Sequence, residues 1–158
     1  MPRYFRYAVL LVALAVSTSL VGCKEISKLL PASTIDNPEQ GSPEWVIYQA
    51  IEAALMPNTD EGYKKVRPLL HSEITDSVAA EQHYRTMVFE TFHRKAYLFS
   101  LDDKTGAYKL DYSEDTEKPG EIIKIFVVNE KSDMPTPCRI KRDPKQNNEW
   151  KISHMCSL

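Results

Sequence analysis

Three neighbouring runs decide the fold: Tyr84-Arg85-Thr86-Met87-Val88-Phe89-Glu90-Thr91-Phe92, then Tyr97-Leu98-Phe99-Ser100-Leu101, then Tyr108-Lys109-Leu110-Asp111-Tyr112. In the first, Tyr84, Val88 and Phe92 stand four apart with Met87 and Thr91 beside them, one stripe of a helix. Past Lys95 the period falls to two. Tyr97, Phe99 and Leu101 alternate with Leu98, Ser100 and Asp102, and Tyr108, Leu110 and Tyr112 alternate with Lys109, Asp111 and Ser113. Alternation of that kind describes antiparallel strands with one wet face. Asp103-Lys104-Thr105-Gly106 between them reads as a turn.

Toward the N-terminus the helical period continues. Ser42-Pro43-Glu44 is an N-cap, a first-turn proline and an acid at the positive helix end. Ile47, Ala50, Ile51, Ala54 and Leu55 form one apolar face before Pro57-Asn58 stops it. A second helix starts at Thr59-Asp60-Glu61, with Pro68 expected to kink or shorten it, and a third starts near Asp76 or Ser77. Toward the C-terminus, residues 122–128 are apolar on both faces apart from Lys124 and suit a central strand. Residues 138–142 and 150–156 are expected as the last two strands. The spacing thus predicts an α+β domain over 43–158, its N-terminal helices packed on one curved antiparallel sheet. Ile47, Ile51, Tyr84, Val88 and Phe92 are the expected contacts.

Residues 1–42 read differently. Arg3 and Arg6 precede an apolar or small run over 8–20, shorter than the ~20 residues that span a bilayer. Leu20-Val21-Gly22-Cys23 follows. That order resembles the signal peptide and lipobox of bacterial lipoproteins. The resemblance implies a signal over 1–22, acyl chains including palmitate on Cys23, and a mature chain anchored in the cell envelope. The bland alternative is an uncleaved anchor with an incidental cysteine. Lys24, where many inner-membrane lipoproteins carry Asp, points to the outer membrane facing the periplasm in a source with two membranes. Residues 23–42, with Pro31, Ser33, Thr34, Asn37, Pro38 and Gly41, read as a lipidated flexible tether. Of 158 residues, 136 remain after the signal, enough for one core. They hold 18 basic and 22 acidic residues, so nothing in the charge favours nucleic acid. No phosphate-loop motif occurs.

The element order, with Pro137-Cys138-Arg139-Ile140-Lys141-Arg142 and Glu149-Trp150-Lys151-Ile152-Ser153 as a closing hairpin, resembles the nuclear-transport-factor-2-like superfamily. That resemblance implies a cone-shaped, cystatin-like α+β fold with a pocket. Tyr48, Tyr84, Tyr108, Arg142 and His154 are the candidate pocket residues; their bland reading is core or boundary packing. A ketosteroid-isomerase type of enzyme would need an inward carboxylate as base, and the strand reading places none there. Glu52 and Glu90 are the nearest candidates.

Cys138 and Cys156 have the same parity on adjacent predicted strands, which favours a disulfide in an oxidising compartment. Direct pairing of the two cysteines sets Arg142 opposite Ile152. The rival register pairs Ile140 with Ile152 and leaves the sulfurs diagonal. The directly paired register is the expectation, with His154 facing inward. Arg139, Lys141 and Lys151 read as a solvated outward face. His71, His83, His93 and His154 show no metal-ligand spacing, so neither metal nor cofactor is expected. Three functions follow as expectations. The first is a non-enzymatic lipoprotein binding an envelope partner or small ligand. The second is a pocket enzyme using an inward His or Tyr. The third is a structural subunit of a larger envelope assembly.

Overall fold

The computed structural model describes residues 33–114, 118, 120–131 and 136–156. The signal segment, Cys23 and the first part of the tether lie outside them. The chain runs β1 (Ser33–Ile35), α1 (Pro43–Ala54), α2 (Thr59–Val66), α3 (Ser72–Thr75), α4 (Val78–His83), α5 (Glu90–Lys95), β2 (Tyr108–Glu114), β3 (Ile122–Val127), β4 (Thr136–Asp143) and β5 (Glu149–His154). The strands form one antiparallel sheet in the order β1-β2-β3-β4-β5, not closed into a barrel. The fold is α+β, helices against a single sheet, as the change of period predicts.

Local chemistry sets the helix boundaries. The Ser42 hydroxyl accepts from the Trp45 N–H at 3.1 Å and Pro43 opens α1. Asn58 Oδ1 accepts from the Asp60 and Glu61 N–H groups and caps α2. Pro68 shortens α2 as expected, because its missing N–H forces a tighter 3-10 turn over Arg67–Leu69. Gly62 lets α2 approach α1: a Cβ there would lie 2.4 Å from the Ala53 carbonyl oxygen.

The third helix departs from its expected stripe. Between α4 and α5 the chain widens into a π-helical stretch, Tyr84–Phe89. The i→i+5 spacing inserts a residue into the repeat. Phe89 (0% exposed) therefore enters the core beside Tyr84 and Phe92, while Val88 is only partly buried. Phe89 meets Tyr63 edge-on at 5.6 Å, and Phe92 packs on Phe99 at 5.6 Å.

Two further expectations are corrected. Residues 97–101 are not a strand: Ala96–Leu98 is a 3-10 turn, followed by single bridges from Phe99 to Asn129 and from Leu101 to Tyr108. The free edge of β2 is filled instead by β1, from the stretch read as tether. Ile35 pairs with Tyr108 and is buried in the core, so order begins at least ten residues before position 43. The inner face of the sheet carries Leu110, Ile123, Ile125, Val127, Cys138, Ile140 and Ile152, which join Ile47, Ile51, Phe89 and Phe92 of the helices in one core.

Candidate functional site

The side chains that could bind something are sorted by the register of β3, β4 and β5. On the inner face Ile123 faces Ile140, and Ile140 faces Ile152. On the outer face Lys124 faces Arg139, and Arg139 faces His154. The pairing shifts between Ile140 and Arg139, which makes Ser153 an extra residue on β5. A bulge of this kind reverses the alternation beyond it. His154 consequently lies exposed on the outer face, not inward as the unbroken strand predicts.

The same bulge corrects the hairpin register. Ile140 faces Ile152 and Arg142 faces Trp150, which is the rival pairing. The extra residue draws Cys156 one position closer to Cys138, and the disulfide forms in this register. The Ser153 hydroxyl closes the bulge by donating to the Arg139 carbonyl at 3.2 Å.

A hollow of about 390 Å³ opens on this outer face, lined by Glu73, Lys124, Pro137, Arg139, Lys141 and His154 together with Ser153. Glu73 reaches it from α3 and pairs with Lys141 at 2.6 Å. The hydrogen bond from Lys141 holds the Glu73 carboxyl below its ordinary pKa. Lys151, expected among the solvated cations, is buried at the sheet edge. Its Nζ donates to the Pro68 carbonyl at 2.9 Å and pairs with Glu149 at 2.8 Å.

α3 is seated by a buried cluster that local periodicity does not reveal. His71 Nδ1 accepts from the Glu73 N–H at 3.1 Å, so the ring proton sits on Nε2, which donates to the Arg142 carbonyl at 3.3 Å. Asp143 is 0% exposed. Its carboxylate accepts from the Ser72 N–H (2.7 Å), the Ser72 hydroxyl (3.0 Å), the Lys145 N–H (2.9 Å) and Gln146 Nε2 (3.0 Å). Burial pushes the Asp143 carboxyl up. The hydrogen bonds from Ser72 and Lys145, with His71 nearby, outweigh that and hold it below its ordinary value. The trio His71, Ser72 and Asp143 is a clasp. The Ser72 hydroxyl donates its hydrogen bond to Asp143, and both imidazole nitrogens are engaged by backbone, so His71 does not address the hydroxyl as a base. The visible signal was the Asp143-Pro144 turn, which reads as loop onset rather than a buried anion.

The five candidate pocket residues do not converge. Tyr48 meets Tyr108 edge-on at 6.0 Å, and the Tyr108 hydroxyl donates to Glu52 at 3.0 Å. Burial, and then the Glu52 carboxylate, push the Tyr108 pKa well up. Tyr84 lies in the helical layer, where burial raises the pKa of its hydroxyl and no hydrogen-bond partner among the described residues reaches it. Arg142 stacks over Trp150 at 4.0 Å and donates to the Asn148 carbonyl at 3.0 Å. His154 is on the opposite face of the sheet from Ile140 and Ile152. Glu90 lines a separate polar cleft of about 670 Å³ with Asp60, His93 and Arg94. Among the described residues no group of three or more His, Cys, Asp or Glu side chains could hold a metal, and no helix is long and apolar enough to cross a membrane. No protein-family model, curated protein or solved structure matches the chain.

Proposed function

We propose that this chain is a lipid-anchored cell-envelope protein whose folded domain binds an envelope partner or a small ligand without acting as an enzyme. The observation that carries the reading is the order Leu20-Val21-Gly22-Cys23, ten residues ahead of the first strand, after a basic and then apolar leader. Ten residues extended reach at most about 35 Å, so acyl chains on Cys23 would hold the domain close to the bilayer surface. The Cys138–Cys156 disulfide supports an oxidising compartment. Lys24 supports the outer membrane, facing the periplasm. The α+β architecture, helices on an unclosed antiparallel sheet, supports grouping the domain with the nuclear-transport-factor-2-like folds. A binding role draws support from the hollow on the outer face, whose volume falls in the range of small-ligand sites.

Growth with a labelled fatty acid tests the anchor. The wild-type chain should carry label and run as the processed form, and Cys23→Ser should lose both. Label or processing retained by Cys23→Ser would overturn the anchor. A photo-crosslinking residue in place of Phe126, on the outer face of β3, tests the binding role in intact cells. A discrete adduct is expected; none at Phe126 or at Pro137 would remove the partner-binding reading.

A further inference from the structure

We infer that the polar cleft of about 670 Å³ between the start of α2 and α5 is a binding site for a neutral polyhydroxyl ligand, a sugar. It lies in the helical layer, apart from the outer-face hollow, and does not rest on it. Pro57, Asn58, Thr59 and Asp60 form one wall, and Glu90, His93 and Arg94 form the other. Two of these side chains are oriented before any ligand arrives. Asn58 Oδ1 accepts from the Asp60 N–H at 3.0 Å and the Glu61 N–H at 3.2 Å, which leaves Nδ2 as a donor of two hydrogens. The His93 ring packs against the buried Phe89, and its Nδ1 lies 2.7 Å from the Ala54 carbonyl at the end of α1. A carbonyl can only accept, so the ring proton sits on Nδ1 and Nε2 is left as an acceptor. Glu90 stands three residues before His93 on the same helix, with about 5–6 Å between Cβ atoms at that spacing. Among the described residues no hydrogen bond engages the Glu90 carboxylate, His93 Nε2 or Asn58 Nδ2.

The chemistry of the walls selects the ligand class. Asp60 is held by Arg85 at 2.7 Å, and Glu90 and Arg94 line the cleft with opposite charges, so an ion of either sign gains no net attraction. One histidine and one available carboxylate are fewer ligands than a structural metal site takes. A bound peptide needs apolar pockets for its side chains, and Pro57 is the one apolar residue lining the cleft among the described residues. A hydroxyl, by contrast, both accepts and donates. It can accept from Asn58 Nδ2 on one wall and donate to His93 Nε2 or Glu90 on the other. A sugar ring repeats that group several times within a compact frame, and the cleft volume falls in the range of small-ligand sites.

The test is a titration of the full chain in a zwitterionic detergent without a sugar headgroup, followed through the side-chain amide of Asn58 and the ring resonances of His93. The neutral probes are glucose, galactose and N-acetylglucosamine. Glucosamine and glucuronate add a charge of either sign, and triglycine amide stands for a peptide. Saturable shifts with at least one neutral sugar are expected, with a dissociation constant on the order of millimolar, as a ligand of about a dozen heavy atoms allows. Asn58→Asp keeps the cap on α2, since aspartate accepts the same N–H groups, but removes the Nδ2 donor. It should weaken binding at least fivefold without lowering the melting temperature, an outcome that a purely structural role for Asn58 would not give. Glu90→Ala should weaken binding similarly, and Lys64→Ala/Lys65→Ala, exposed on α2, should leave it unchanged. Absence of saturation by all three neutral sugars, tighter binding of a charged sugar or of triglycine amide, or equal binding by Asn58→Asp would overturn the proposal. Adducts at Phe126 in cells without sugar binding would overturn this site and leave the partner-binding reading intact.

Discussion

The two edges of the sheet are closed by different means. At the β5 edge, Leu70 forms a lone parallel bridge to Ile152, and the His71 N–H donates to the Ile152 carbonyl at 2.9 Å. Lys151 reaches over to Pro68, Gln146 Nε2 donates to the Leu70 carbonyl at 3.1 Å, and Asp143 is clasped by Ser72. The disulfide joins β4 to the chain just past β5. At the other edge β1 contributes three residue pairs to β2, with Ile35 as its buried side chain. One edge is locked by polar and covalent contacts made within the domain. The other depends on a short strand supplied by the segment that leads from Cys23.

Native-state hydrogen exchange tests this contrast. The His71 and Ile140 amides should exchange at close to the global unfolding rate, and those of β1 through local opening. Equal protection at both edges would erase the distinction.

Substitutions rank the contributions. Asp143→Ala leaves the Ser72 and Lys145 N–H groups and the Ser72 hydroxyl without their acceptor. The expected loss, by denaturant unfolding, is about 3–4 kcal/mol. Replacing both cysteines by Ala should cost about 2–3 kcal/mol, since the chain-entropy model assigns roughly 3 kcal/mol to such a loop and the hairpin already closes part of it. Ile35→Ala should cost about 2 kcal/mol, at the low end for buried isoleucine because a chain edge can collapse onto the gap. Glu73→Gln should change stability by less than about 0.5 kcal/mol, as expected for an exposed ion pair. If Ile35→Ala proved costlier than Asp143→Ala, the two edges would have been ranked the wrong way round.

Acid should act on the locked edge. Asp143 has a lowered pKa in the folded state, so the unfolded chain takes up a proton first as pH falls. Its contribution is fully present above the ordinary aspartate range, near pH 4, and is lost as pH drops through the folded-state value. Unfolding curves measured from pH 6 to pH 2 should therefore show stability falling below about pH 4, with a shallower fall in Asp143→Asn. Identical slopes would show that Asp143 is not the group responsible.

Much of this protein was legible before folding because the relevant signals are local. The cap at Ser42, the stop at Pro57-Asn58, the shortening at Pro68 and the change of period past Lys95 each depend on neighbours within a few residues. Adjacent strands were enough to name Cys138 and Cys156 as partners, although the bulge at Ser153, not their shared parity, brings them together. The candidate site was less legible, because its features are breaks in periodicity. The π-helical stretch that exchanges Val88 for Phe89, and the bulge at Ser153 that turns His154 outward, each add one residue to a repeat. Such an insertion disrupts local hydrogen bonding and persists only where distant packing outweighs that disruption, as Tyr63 does for Phe89. Ile35 likewise sits in a stretch too polar to order itself, and becomes a strand because β2 offers an unfilled edge. Asp143 is charged and follows a strand, which by itself means solvent; only the fold brings Ser72 to it across 71 residues of sequence. The sequence by itself determined the helices α1 and α2, the strands β2 to β5 and the identity of the cysteine pair, since those follow from short-range sterics, alternation and the order of adjacent strands. The faces on which His154 and Phe89 lie, and the burial of Asp143, were decided by tertiary contacts that no short window contains.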